Sequence, residues 1–192
     1  MKTFYFKTIC GLIIFFSCQV YPQTEVFSHL NISLEGGGVF PQQNLKQHLN
    51  NALLLGYNLE TPYYKNIYVH VKMQYSLLDE INSTQSDRNI YFVKSGLGFK
   101  YSPSPLRHTF LKWGMGLGLS YYFIHTQKET SNNQYYMDSN ESEFGIYPFL
   151  QVTFKTKSPL FFRIGASYDI VFSKPVYSQL PNAYLNIGWM LW

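Results

Sequence analysis

The chain has 192 residues, 19% of them aromatic and only 14% charged, with a net charge of +4. That length suits one domain, with or without a targeting peptide, and a modest, scattered positive charge offers no basic face for nucleic acid. Both cysteines, Cys10 and Cys18, stand near the N-terminus, so the rest of the chain has no disulfide, thiolate metal site or cysteine nucleophile.

Lys2 and Lys7 accompany an apolar stretch, Ile9 to Phe16, that is too short for a bilayer-spanning helix and of signal-peptide length. Residues 1–23 are expected to be a cleaved signal peptide and residues 24–192 the mature domain, with cleavage between Ser17 and Thr24. Phe15-Phe16-Ser17-Cys18 leaves lipidation at Cys18 as an alternative. Beyond this leader no apolar run approaches the roughly 18 residues of a transmembrane helix.

Eight segments follow in which apolar and polar residues alternate, the period of a β-strand with two unlike faces. The first, Ser28 to Phe40, sets Leu30, Ile32 and Leu34 against Asn31, Ser33 and Glu35. The second, Ala52 to Glu60, puts Leu53, Leu55, Tyr57 and Leu59 together. The third, Ile67 to Leu78, alternates most regularly, with Val69, Val71, Met73 and Tyr75 opposite His70, Lys72, Gln74 and Ser76. The fourth, Asn89 to Tyr101, sets Tyr91, Val93, Leu97 and Phe99 against Lys94, Gly96, Gly98 and Lys100.

In the fifth segment, Thr109 to His125, Leu111, Trp113, Met115, Leu117, Leu119, Tyr121 and Phe123 face Lys112, Gly114, Gly116, Gly118 and Ser120. Large residues outward and glycines inward suit a narrow closed barrel, whereas interior glycines would cost a helix about 1 kcal/mol each. The sixth, Glu143 to Lys155, carries Pro148, for which a bulge is the expected accommodation. The seventh, Leu160 to Phe172, and the eighth, Asn182 to Trp192, alternate again, with Arg163, Ser167, Asp169, Asn182 and Asn186 on the polar parity.

Connectors are alternately short and long. Thr61 to Asn66, Ser102 to Leu106 and Lys157 to Pro159 are short and contain proline. Pro41 to Asn51, Asp79 to Arg88, Thr126 to Ser142 and Ser173 to Pro181 are longer and polar. Tight periplasmic turns and longer outside loops are the habit of outer-membrane barrels. The aromatics sort accordingly: Tyr101, Trp113, Phe154, Phe162, Trp189 and Trp192 near the short-turn end, and Tyr91, Tyr121, Tyr122 and Phe172 near the other, as two girdles would require. The expected fold is an all-β, eight-stranded antiparallel up-and-down transmembrane β-barrel in the bacterial outer membrane, touching outer-membrane lipid.

The leader, the hairpin rhythm, Gly114 to Phe123 and the aromatic terminus make the chain resemble the small eight-stranded outer-membrane β-barrel families of Gram-negative bacteria, OmpA/OmpX-like. One feature departs from them: Leu185, Ile187, Trp189 and Leu191 lie one step out of phase with Trp192. The resemblance implies handling by the barrel-assembly machinery and no particular activity.

Glu35, Lys72, Lys94, Lys112, Arg163 and Asp169 share the inward parity and are expected to form a polar lumen network, since eight strands leave room only for side chains. Because related barrels include lipid A acyltransferases and deacylases, His48, Ser86 and Asp87 in neighbouring long loops form a candidate acyl-transfer site. Ordinary solvated loop residues are the simpler reading. His70, His108 and His125 lack metal-ligand spacing, and no phosphate loop is present. No cofactor is expected. Tyr135, Tyr136, Asp138 and Glu141, in the longest outside loop, offer a contact surface. The functional expectation is a non-enzymatic barrel whose loops meet an extracellular or envelope protein partner, with a secretion or assembly subunit and an acyl-transfer enzyme as alternatives.

Overall fold

The structure is a computed structural model that describes residues 27–42, 46, 49–79, 88–103, 110–128, 139–172 and 178–191. The expected leader, His48, Ser86, Asp87, His108, Tyr135, Tyr136, Asp138 and Trp192 lie outside the described residues.

Eight strands run in chain order: β1 Leu30–Val39, β2 Ala52–Tyr64, β3 Ile67–Asp79, β4 Arg88–Tyr101, β5 Leu111–Lys128, β6 Ser139–Lys155, β7 Leu160–Val171 and β8 Ser178–Leu191. Each pairs antiparallel with the next, and β1 pairs with β8 from Leu30↔Leu191 to Val39↔Asn182, so the sheet closes without an edge. Closure satisfies the backbone within the sheet, the condition for crossing hydrocarbon. The expected all-β, antiparallel up-and-down barrel is what the described residues form.

Alternation along each strand becomes alternation between outside and lumen. Leu53 is 81% exposed and Leu119 68%, while Lys72, Gln74 and Ser76 on β3 are buried. Leu34, Leu97, Leu117, Leu150, Ile164 and Leu185 continue the exposed apolar wall. Among the described residues no helix is long and apolar enough to cross a membrane. Leu119 sits near the middle of β5, between Leu97 on β4 and Ile146 on β6. Leu119→Arg is expected to cost about 2–4 kcal/mol in lipid. A urea midpoint in lipid vesicles unchanged from wild type would show that this face does not meet hydrocarbon.

The strands depart from the sequence expectation at three places, each involving a proline or a long hairpin. First, β2 does not end at Glu60 but continues to Tyr64, with an irregularity between Pro62 and Tyr64 and a two-residue turn at Lys65 and Asn66. Lys65 takes φ 45°, a left-handed conformation that a turn this tight demands. The carbonyl of Pro62 accepts from Phe27 N at 2.9 Å. A strand residue turns its N and C=O to the same neighbour, so the missing N–H faces the chain before β1 and costs no bond to β3. Pro181 repeats this on the other flank of β1, inside β8, where its carbonyl accepts from Phe40 N at 2.8 Å. Each proline therefore sits just beyond an end of the shortest strand, where the ladder with β1 stops.

Second, the bulge expected at Pro148 is absent. Ile146↔Ile170 and Phe149↔Ser167 keep one register, with the two intervening pairings to β7 missing. On its other side Pro148 stays in register with Leu117. The sheet accommodates the proline by a gap in the ladder and inserts no residue. Third, β5 and β6 pair out to Thr126↔Ser139, shortening the connector expected to run from Thr126 to Ser142. Glu141 is consequently an exposed strand residue rather than part of a loop.

Candidate functional site

The barrel interior is the place where polar chemistry concentrates, and it is filled in layers. At the short-turn end, Glu60 of β2 meets Lys100 of β4 at 2.5 Å and Nη2 of Arg163 of β7 at 3.2 Å, both through Oε1. Asn31 of β1 donates to the same oxygen at 3.4 Å, and Arg163 Nε donates to Thr153 Oγ1 at 3.3 Å. Higher up, Glu35 of β1 takes Lys72 of β3 at 3.1 Å and also accepts from Gln74. Asn186 of β8, with its amide turned to donate, reaches Glu35 Oε2 at 3.2 Å. Toward the loop end, Asp169 of β7 takes Lys94 of β4 at 2.7 Å and the Tyr122 hydroxyl at 2.6 Å through the same oxygen.

Of the six side chains expected to line the lumen, Glu35, Lys72, Lys94, Arg163 and Asp169 are therefore buried in ion pairs. Lys112 is only partly buried, at the short-turn mouth beside Lys155. An uncompensated ion withdrawn from water costs several kcal/mol, so the fully buried charges are paired, and each of the carboxylates Glu35, Glu60 and Asp169 accepts a further hydrogen bond. Glu60 and Lys100 complete this set, and sequence parity alone would have found both.

Aromatic side chains also enter the lumen, where the alternation of small residues makes room for them. Tyr147 of β6 is 0% exposed, and its hydroxyl lies 2.9 Å from His70 Nε2. Its ring stacks near Phe149, with centroids 6.0 Å apart, and Lys94 Nζ lies 4.0 Å from its centroid. Lys72 Nζ stands 4.0 Å over the ring of Tyr184. A Cβ at Gly118 would collide with the Tyr147 ring, and one at Gly96 would lie 2.8 Å from its hydroxyl. The glycines of β4 and β5 thus define the slot that a large aromatic on β6 fills.

Above the charges the lumen turns apolar. Val39, Leu54, Leu78, Phe92, Val171 and Leu180 pack into a cluster at the loop end, with Ile90 and Ile124 against it. Tyr122 belongs here and not to the outer girdle: it is buried and turned inward onto Asp169. The inward parity of strand ends near the loops is apolar in Leu54, Leu78 and Phe92, a signal present in the sequence but masked by the expectation of a polar interior.

The remaining aromatics face outward. Near the short-turn end Tyr101, Trp113, Phe162 and Trp189 are exposed, and Phe154, partly exposed, pairs across to Phe162. Toward the loop end Tyr91 lies between Tyr75 and His125, at 6.4 and 5.7 Å between ring centroids, and Tyr121 lies 5.1 Å from Phe144. At the short-turn mouth His29 precedes β1. Its burial, with the nearby Lys155 ammonium next in effect, holds the imidazole below its usual range. Among the described residues no cluster of three or more His, Cys, Asp or Glu side chains could hold a metal.

A closed eight-stranded antiparallel sheet with an apolar outside and charged, polar and aromatic side chains inside is the architecture of a small transmembrane β-barrel. No family model and no curated protein matches the sequence. Solved structures do match in fold. The outer membrane protein OprG from Pseudomonas aeruginosa superposes with a TM-score of 0.61 at 11% identity, covering 86% of this chain and 95% of that one. Neisserial surface protein A gives 0.58 at 11% identity, covering 84% and 96%. Ail, the attachment invasion locus protein of Yersinia pestis, solved with the heparin analogue sucrose octasulfate, gives 0.51 at 13%, covering 85% and 97%. The fold is that of the small eight-stranded outer-membrane barrels, as the OmpA/OmpX-like resemblance implied.

Proposed function

We propose that the chain is a non-enzymatic, non-conducting barrel of the bacterial outer membrane that holds its long loops outward for contact with a surface ligand or an envelope partner. The observation that carries this reading is the packed interior. Ion pairs from Glu60 to Asp169, the Tyr147 slot and the apolar cluster around Leu78 occupy the lumen in succession. A scaffold whose middle is filled can act only at its ends and its wall, and a closed sheet is a rigid support for loops. Residues 1–23 would serve as the secretory leader, the barrel-assembly machinery would insert the mature chain, and outer-membrane lipid would surround it. That Ail was solved with a sulfated ligand supports surface recognition as a use of this fold.

Two measurements test the reading. Refolded into planar bilayers, the mature chain should give no sustained ion current at steady voltage; a stable conductance of porin size would overturn the filled-lumen account. A photo-crosslinker placed at Tyr135 in living cells should capture an extracellular or envelope neighbour. If a deletion strain instead shows altered lipid A acylation that His48→Ala or Ser86→Ala reproduces, the protein is an enzyme and this reading falls.

A further inference from the structure

The lumen opens at its short-turn end into a small cleft. Lys100, Lys112, Lys155, Arg163 and His29 line it, against one acid, Glu60. Among the described residues four cations thus face one carboxylate, an excess of positive charge. Glu60 is already engaged by Lys100 and Arg163 through a single oxygen. Lys112 and Lys155 enter no ion pair among the described residues and lie close enough to repel each other.

A second, independent feature points the same way. Arg163, 2% exposed and lining the cleft, leaves its buried Nη1 without a hydrogen-bond partner. A guanidinium nitrogen withdrawn from water and unpaired is unfavourable unless an acceptor reaches it. Arg163 and the excess charge line one cleft, together with Asn31, whose buried Oδ1 also lacks a partner.

We propose that this cleft binds a phosphate-class oxyanion, entering at the short-turn mouth, with the Arg163 guanidinium as its innermost cation and Lys112 and Lys155 closing over it. A tetrahedral oxyanion supplies several acceptor oxygens, which suit a planar guanidinium and two mobile ammonium groups together. Both lysines are partly exposed, so their stems can adjust at the mouth while Arg163 stays fixed in the wall. The same chemistry is offered by soluble phosphate and by the phosphate of a lipid headgroup. This site lies at the opposite end of the barrel from the long loops, so it stands or falls separately from the surface role proposed above.

The refolded mature chain, in a maltoside micelle free of phosphate, is titrated with inorganic phosphate at constant ionic strength against a chloride control. The expected result is a saturable rise in thermal midpoint, with broadening of the phosphate ³¹P line, that chloride does not produce. In Lys112→Gln/Lys155→Gln the apparent affinity should fall at least about tenfold. Lys112→Glu, which brings a fixed counter-charge to the mouth, should raise the midpoint without phosphate and remove the phosphate response. Phosphatidylglycerol added to the micelles separates the sources: competition with inorganic phosphate identifies a lipid headgroup, and its absence a soluble anion. A wild-type protein that responds to neither inorganic phosphate nor phosphatidylglycerol overturns the proposal without recourse to any variant. Equal responses from wild type and the variants overturn it as well, because the effect would then lie elsewhere on the surface.

Discussion

Glu60→Ala is expected to destabilise the barrel by about 3–5 kcal/mol, the usual consequence of removing one partner from a buried charge cluster. The reason lies in sharing: Oε1 of Glu60 takes Lys100, Arg163 and Asn31 at once, so its loss strands two buried cations. Glu60→Gln should be less damaging, because it keeps the hydrogen-bond acceptor although it loses the charge. The decisive variant is the triple change Glu60→Ala, Lys100→Met, Arg163→Met. Apolar replacement of an entire buried ion group is often neutral or stabilising, so most of the lost stability should return. Urea midpoints in micelles measure all three. If the single variant unfolds at the wild-type urea concentration, the cluster is not the desolvated group the geometry describes.

Gly118→Val should prevent the barrel from closing, and Gly118→Ala should cost at least the 1–3 kcal/mol typical of overpacking. Tyr147 leaves no slack on the other side of the contact. It is fully buried, bonded to His70 at 2.9 Å, ringed by Lys94 and Phe149, and also close to Gly96. Shortening the intruder tests the mechanism: Tyr147→Leu combined with Gly118→Ala should fold better than Gly118→Ala alone. Circular dichroism in micelles, with protease resistance as a second readout, reports closure. A Gly118→Val protein with wild-type strand signal and protection would mean that the lumen at this level is open.

Neither effect could be sized from the sequence, although the residues concerned were all visible there. The parity of Gly118 on β5 is local, because side chains alternate wherever a strand forms. That it meets Tyr147 depends on the β5–β6 register, which pairs Gly118 with Tyr147 across the long hairpin. Glu60 and Arg163 are 103 residues apart in the chain, on strands that are not neighbours in the sheet, and meet only because the cylinder closes β8 onto β1. The prolines show the same division. Pro62 and Pro181 read as turn or loop residues, yet both sit within strands because β1 is short enough to release their missing N–H groups.

Alternation, connector rhythm and aromatic placement were thus sufficient to determine strand number, antiparallel order and the inward or outward direction of most side chains. Those properties follow from backbone geometry within a hairpin, which a chain carries in its local order. Which inward groups touch, where charge gives way to the apolar cluster near Leu78, and that Tyr122 turns to Asp169 were decided only by the closed structure. Contacts across a lumen depend on register and stagger summed around all eight strands, and no single stretch of sequence encodes that sum.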